Sequence, residues 1–383
     1  MPDKTAMPAW PDALLRITDA IFAARERLVG NLKFQRAVAR VPFIRWIAQK
    51  QARDVFDLCT GFVSTQVVLA IVQLGILQLC QREPRSLNDI ARAARLKSDA
   101  AARLVSAAVS IGLLQRRSNE RFGLGMRGAA IVANPGLLKM IEHHGLFYKD
   151  LADPVALLRG EVPETGLSRY WAYAKGRGND LCDDDVAAYT DLMAQSQTFV
   201  ADDVLDAYDF SSHALMLDIG GGDGTFIVRT AERNQHLRFQ HFDLPPVSAR
   251  AKAHFARTGL ENRAASFPGS FVEDELPKGA DLITLVRVLH DHDDQTVKTI
   301  LRRAREAIAH GGTLLIAEPM AGTRGAESMG DAYFGFYLLA MGRGRPRTRE
   351  ELSQLLFEAG FVEPAEVPTA LPLQTRLLKS KSL

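Results

Sequence analysis

The sequence predicts a doubly wound α/β fold preceded by a smaller all-helical, winged-helix domain. Three observations point there. From residue 214 to 360, apolar strand-length runs alternate with helix-length segments, the pattern of a parallel sheet covered on both faces. The first run, ALMLDIGGGDG over 214–224, passes from a buried strand into a glycine cluster, Gly220, Gly221, Gly222 and Gly224. Upstream, residues 54–133 have helical period and end in two short helices followed by a wing-like segment.

Composition narrows the classes. With 383 residues and 47% hydrophobic content, the chain can bury two cores. Three parts are expected: a helical arm over 1–53, a helical winged-helix domain with its connector over 54–200, and the α/β domain over 201–383. The net charge of +2 offers no general attraction for nucleic acid. Cys59, Cys80 and Cys182 are scattered with no CxxC, which argues against a disulfide framework or zinc site and for a reducing, cytoplasmic compartment. The start lacks the apolar core of a signal peptide, and no run reaches about 18 uninterrupted apolar residues, so no bilayer span is expected.

In chain order, Pro2, Pro8 and Pro11 precede a short apolar helix over 13–23. Residues 24–53 carry eight Lys/Arg and one acid interleaved with Leu28, Leu32, Phe34, Val38, Phe43, Ile44 and Trp46. Two readings fit this stretch: a basic amphipathic surface on an anionic membrane, or an arm packed on its own domain or a second subunit. Pro42 should break the helix there. A helical run over 56–79 is interrupted at Gly75. Ser86 caps the next helix, a turn at 96–98 leads into a second helix to Ile111, and GLL–RFGLG forms the wing. That is the outline of a DNA reader, but its second helix offers only Arg103 as a basic side chain, too little for phosphate contact. A dimerisation domain built on the same fold is the better reading.

Asn134-Pro135-Gly136 punctuates the chain, and Phe147, Tyr148, Tyr170, Trp171 and Tyr173 supply aromatic surface for a pocket or for packing. Asp183–Asp185 begin a helix running past Met193 and Phe199. The α/β pattern then follows as 214–219, 225–234, 237–242, 247–258, 263–267, 281–289, 294–310, 313–318 and 349–360.

The chemistry lies at the strand ends, where doubly wound domains bind their ligands. The glycines let a ligand approach main-chain atoms. Asp218 ends the first strand, just before the glycines, and is a candidate cofactor-binding residue with them. Asp243, 25 residues later, ends the second, where an acid can accept both ribose hydroxyls of a nucleoside. No GK[ST] follows, so there is no phosphate cradle, and a nucleoside without phosphate chemistry points to S-adenosylmethionine. LHDHDD closes the fourth strand and places His290 at its tip, where an imidazole can act as a base at neutral pH. Glu318 ends the adjacent strand, within reach of the ring, where it can fix the tautomer. The cluster His290–Asp294 also resembles a metal site. Neighbouring side chains on a strand edge diverge, however, so no metal is expected, and Asp293 or Asp294 is assigned to cap the next helix.

LDIGGGDG, HFDLPPV, VLHDHDD and LLIAEP, behind a winged-helix domain, resemble the S-adenosylmethionine-dependent O-methyltransferases of the plant caffeate and hydroxyindole type. The resemblance covers roughly residues 54–380. FDLCTGFV, the basic arm and LLAMGRGRPRT bring the chain nearest to the family's bacterial carotenoid branch. The resemblance implies a Rossmann-like methyltransferase domain and a homodimer. It sets Gly220, Gly221 and Gly222 against the methionine part of the cofactor, Asp243 on the ribose and Leu244 against the adenine. Gly269-Ser270-Phe271 stands where the plant enzymes have Gly-Asp-Met, so Ser270 replaces an acid that bonds the adenine. Arg287 corresponds to a basic residue near the cofactor, His290 to the general base, and Glu318 to the first of two flanking acids. The second acid is replaced by Pro346, unless Glu350, Glu351 or Asp291 compensates.

The implied reaction is in-line displacement by a hydroxyl whose proton goes to His290, on the tertiary 1-hydroxyl of an acyclic hydroxycarotenoid. MGDAYFGFYLLAM over 329–341 is then a candidate wall for a greasy channel, and the arm a peripheral contact with a photosynthetic membrane. Two alternatives stand beside this: methylation of an aromatic hydroxyl or a tetrapyrrole, and a cofactor-binding winged-helix regulator.

Overall fold

The computed structural model describes residues 12–171, 183–370 and 375–383. The early prolines, Tyr173 and Cys182 lie outside these residues, as do the side chains of Asp183–Asp185 and Phe199. The chain divides into two compact units at Ala70/Ile71.

The first unit is helical. Helices Asp12–Val29 and Leu32–Arg40 are followed by the start of Arg45–Gln73. Asn31 caps the second of these, its side-chain oxygen accepting the N–H groups of Lys33 (2.9 Å) and Phe34 (3.2 Å). That helix stops at Arg40, two residues ahead of Pro42, as a proline requires. Large apolar side chains are left bare: Phe43 is 88% exposed, Leu58 84% and Phe62 70%. Helix Arg45–Gln73 contains an 18-residue stretch long and apolar enough to cross a membrane, by length and composition alone. Polar residues punctuate the stretch, so it holds no long uninterrupted apolar run.

The second unit begins with the winged helix. Gly75, in the left-handed region (φ 64°), separates helix Ile76–Arg82 from the one before it. A small sheet follows, β1 Arg85–Ser86, β2 Leu114–Arg116 and β3 Arg121–Leu124, in the order β1-β3-β2. Between β1 and β2 lie helices Leu87–Ala93 and Ser98–Ser110, the first capped by Ser86. Asn134 accepts the Leu137 N–H at 2.7 Å and Pro135 takes the first position of helix Pro135–Asp150.

The large sheet comprises β4 Leu215–Ile219, β5 Arg238–Asp243, β6 Ala264–Pro268, β7 Leu282–Val286, β8 Thr313–Glu318, β9 Phe361–Val367 and β10 Arg376–Ser382. Their order is β6-β5-β4-β7-β8-β10-β9, parallel through β8, with β10 antiparallel to both its neighbours. β7 and β8 are buried at every residue, because helices cover both faces of the sheet centre. β4 lies at the centre of the strand-order reversal, where such sheets open a crevice at their C-terminal ends.

Two differences from the sequence reading matter. β9 and β10 were not expected: β9 is an edge strand that contains Pro364, and β10 alternates apolar with Lys and Ser, so neither carries the continuous apolar signal of the inner strands. The fourth parallel strand also ends at Val286 and not at Leu289. Arg287 takes the left-handed conformation (φ 60°), and His290 therefore lies on a 3₁₀ turn, Leu289–Asp291, beyond the strand tip.

Candidate active site

The glycine turn after β4 has no room for a side chain at Gly220 or Gly221. A Cβ on Gly221 would lie 2.6 Å from the His241 ring and 2.7 Å from Asp218 Oδ2, and Gly220 adopts φ 68° with Val288 2.9 Å from where its Cβ would be. His241, buried and held neutral by burial (pKa pushed down to about 4), anchors the turn through Nε2 to the Gly222 carbonyl at 2.9 Å. Asp243 completes the rim: one oxygen accepts the Gly222 N–H (2.9 Å) and the other the Leu244 N–H (2.7 Å). Burial raises its pKa to about 6 against the pull of those two donors.

A cavity of about 350 Å³ opens over this turn. Gly220, Gly221, Gly222, Asp243, Leu244, Ser270, Phe271 and Arg287 all line it. Asp218 does not. It lies beneath the turn, with one oxygen accepting the Thr284 hydroxyl at 2.6 Å and Oδ2 buried without a partner, and burial lifts its pKa to about 7. Trp171, Met193, Gln197, His292 and Arg343 also line the cavity and went unassigned from sequence, apart from Trp171, which stood among the candidate pocket aromatics. Met193 and Gln197 come from the helix Asp183–Ala207, and His292 and Arg343 sit inside LHDHDD and LLAMGRGRPRT, motifs that gave neither a place at the cofactor, so only the fold reveals where they stand.

A second cavity, of about 320 Å³, lies alongside and shares Met193, Arg287 and Asp291 with the first. His290 faces this one. Its walls are largely apolar: Leu137, Met140, Val200, Met329 and Phe334, with Tyr333 and Tyr337. Four of these, Met329 to Tyr337, come from a π-helical segment, Ser328–Phe334, and the helix Gly335–Met341 that continues it, so the expected channel wall does border the cavity. Two histidines kept neutral by burial fix the phenols, His143 on Tyr337 and His144 on Tyr333, each pair at 2.9 Å.

His290 is held on both sides. Its Nδ1 bonds Glu318 Oε2, and Glu318 Oε1 accepts the N–H groups of Val288 (2.9 Å) and Leu289 (2.6 Å). Nε2 lies 3.1 Å from Asp291 Oδ1, and the Phe334 ring stands edge-on to the imidazole with centroids 5.7 Å apart. Burial disfavours the charged ring, but Asp291 and Glu318 outweigh it and hold the His290 pKa above the ordinary histidine value.

The turn itself is gripped from behind. The buried Arg347 donates to the carbonyls of Leu289 and His292, each at 2.7 Å, and to Asp294 Oδ1 at 2.7 and 2.9 Å. The Arg345 N–H donates to the His290 carbonyl at 2.9 Å, and a Cβ on Gly344 would overlap that same carbonyl at 2.1 Å. The GRGRPRT segment, which lacks the second acid, therefore works through its backbone and a guanidinium. The acidic cluster does not converge on one point: Asp293 caps helix Asp294–Ala307 at 2.8 Å to the Thr296 N–H, and Asp294 goes to Arg347. Among the described residues no group of three or more His, Cys, Asp or Glu side chains is placed to hold a metal.

This arrangement has counterparts. Residues 148–362 match the model of the O-methyltransferase domain, and residues 56–130 that of the O-methyltransferase dimerisation domain. The chain belongs to the O-methyltransferase family. It is 40% identical to the demethylspheroidene O-methyltransferase of Cereibacter sphaeroides over 90% of this chain and 91% of that one. To the enzyme of the same name from Rhodobacter capsulatus it is 36% identical, over 93% of this chain and 88% of that one. The crystal structure of human N-acetylserotonin methyltransferase in complex with SAM shares the fold, with a TM-score of 0.71 at 23% identity over 87% of this chain and 97% of that one.

Proposed function

We propose that this O-methyltransferase uses S-adenosylmethionine to methylate the tertiary hydroxyl of an acyclic hydroxycarotenoid, with His290 as general base. One observation carries the reading: two cavities, one over a glycine turn with an acid at its rim and one apolar, meet at Met193, Arg287 and Asp291 with His290 on the apolar side. The first suits the cofactor. Its floor is the backbone of Gly220, Gly221 and Gly222, bare of side chains, and Asp243 keeps acceptor capacity on both oxygens for ribose hydroxyls beyond its two backbone bonds. Gly220–Gly222 would hold the methionine part, Leu244 and Phe271 the adenine, and Ser270 would face the adenine amino group. When bound, the cofactor supplies an electrophilic methyl group.

The chain's own residues do the rest. The second cavity orders the acceptor terminus and excludes water with Leu137, Met140, Met329 and Phe334. Its volume takes one end of a long polyene and leaves the remainder outside. Glu318 fixes the imidazole through Nδ1, so Nε2 is the nitrogen that takes the hydroxyl proton. A tertiary alcohol is a weak acid, so the proton leaves as the new bond forms. Positioning of the two reactants can be worth up to about 7–11 kcal/mol.

The names of the two bacterial relatives supply the acceptor class, and the apolar lining agrees with it. The dimerisation segment makes the protein a homodimer. The arm, with eight cations among exposed apolar side chains over 24–53, serves as a contact with an anionic bilayer in which such an acceptor dissolves.

The test is methyl transfer from labelled S-adenosylmethionine to an acyclic tertiary-hydroxy carotenoid and to simple phenols and hydroxyindoles. The carotenoid is presented in neutral and in anionic vesicles. The carotenoid is expected to be the preferred acceptor, and to react several-fold faster from anionic vesicles at low salt. Charge reversal at Arg36, Arg40 and Lys50 should remove that advantage. Preference for a phenol would reject the acceptor, and equal rates from both vesicles would reject the membrane contact.

A further inference from the structure

We propose that Asp291 is the second acid of the catalytic base, acting on the nitrogen opposite Glu318, and that the acceptor hydroxyl must take its place on Nε2 before the proton can be removed. The inference rests on His290 being the base. Two glutamates compete for the role and neither reaches. Glu351 closes the capping box of helix Arg349–Glu358 with Thr348 and pairs with Arg345 at 2.8 Å, and the exposed Glu350 lies 3.7 Å from Arg349. Asp291 is the residue next to His290, is buried, and places Oδ1 3.1 Å from Nε2. It lines both cavities, so its carboxylate stands where donor and acceptor must meet.

The consequence lies in proton bookkeeping. A ring with a carboxylate against each nitrogen, one hydrogen-bonded and one at 3.1 Å, is favoured as the imidazolium, which has no lone pair to accept a proton. The other groups around it do not reverse this. Arg287, at the end of β7, and His292, on the same turn, oppose a positive ring, but His292 is itself kept neutral by burial. Tyr333 and Tyr337 face the same space with pKa values raised by burial, so neither carries charge. Glu318 from β8 and Asp291 therefore set the balance, and the raised His290 pKa agrees with the geometry.

The order of events follows. The Nε2 proton passes to the Asp291 carboxylate or to solvent, the acceptor O–H donates to the bare nitrogen, and its proton moves onto Nε2 as an oxygen lone pair forms the O–CH₃ bond and the S–CH₃ bond breaks. Asp291 is a positioning residue that decides when the base is free. Asp291 acts through contact with the reacting nitrogen itself.

The experiment uses the full-length protein labelled with ¹⁵N-histidine and follows the His290 ring by NMR, assigned by loss of the signal in His290→Gln. In the unliganded wild type, both ring nitrogens should be protonated at pH 7, and the ring should titrate above the ordinary value of about 6.5. In Asp291→Asn the titration should move down by at least one pH unit, and the acidic limb of kcat/KM should move the same way. Asp291→Glu should restore part of the shift. A wild-type ring that is neutral at pH 7 would overturn the proposal, and needs no variant to be folded. So would Asp291→Asn with an unmoved titration. Should His290→Ala keep full turnover, the base assignment fails, while the ring titration still judges the coupling to Asp291.

Discussion

His290→Ala is expected to lower kcat by about 10²–10⁴-fold, the usual contribution of a positioned general base, with S-adenosylmethionine still bound at close to its wild-type Kd. The split follows from geometry. The imidazole borders the apolar cavity and not the one over the glycine turn, so its removal leaves the Gly220–Gly222 and Asp243 surface intact. Glu318 stays tied by the N–H groups of Val288 and Leu289, so the turn has a remaining anchor when the ring is gone. Calorimetry for the cofactor and single-turnover rates for methyl transfer separate the two quantities. Equal loss of both would make His290 a structural residue.

Arg347→Met is expected to damage fold and turnover together. Arg347 is 2% exposed, and its guanidinium ties the carbonyls of Leu289 and His292, on either side of the base. Hydrogen bonds from a charged donor contribute about 1.5–3 kcal/mol each, so orphaning one buried and one half-buried carbonyl should cost on the order of 3 kcal/mol. The pairing with Asp294 adds little, because half of that side chain is in water. Denaturant unfolding should show the loss of stability. kcat should fall at least tenfold under conditions where the variant is folded, since a turn displaced by about 1 Å can cost 10²-fold. Arg347→Lys keeps the charge without the fork and should recover only part of either loss. A variant that is less stable yet turns over at the wild-type rate would show that the turn holds its own geometry.

The legible parts of the site are those where a local rule forces a residue type. The glycine turn, Asp243, His290 and Glu318 could be named because strand ends, tight turns and acid–base partners each leave a short-range signature. Leu244, Ser270, Phe271 and Arg287 followed from family likeness, and all four border the cavity over the glycine turn. Asp218 reads as a rim residue from its place before the glycines, yet the pleat turns it under the turn onto Thr284. The acceptor cavity stayed hidden for a different reason. Its walls are assembled from residues near 134–144, 193–200 and 328–337, and no periodicity links segments so far apart. The run at 329–341 signalled a greasy surface without saying what it faced. β9 and β10 were missed because a proline-bearing edge strand and a Lys/Ser-rich strand imitate a polar tail, and pairing with β8 is decided by the sheet. The role of Arg347 was invisible for the same reason: its partners are backbone carbonyls, which every sequence has.

The central claim is spatial: the imidazole of His290 faces, across Asp291, the place where the cofactor sulfur lies. A crystal structure with S-adenosylhomocysteine tests it most directly. The account predicts the nucleoside over Gly220–Gly222 with its ribose on Asp243, and the sulfur at the wall formed by Met193, Arg287 and Asp291, open to His290 Nε2. A sulfur lying away from that wall, or a His290 ring turned out of the second cavity, would contradict it.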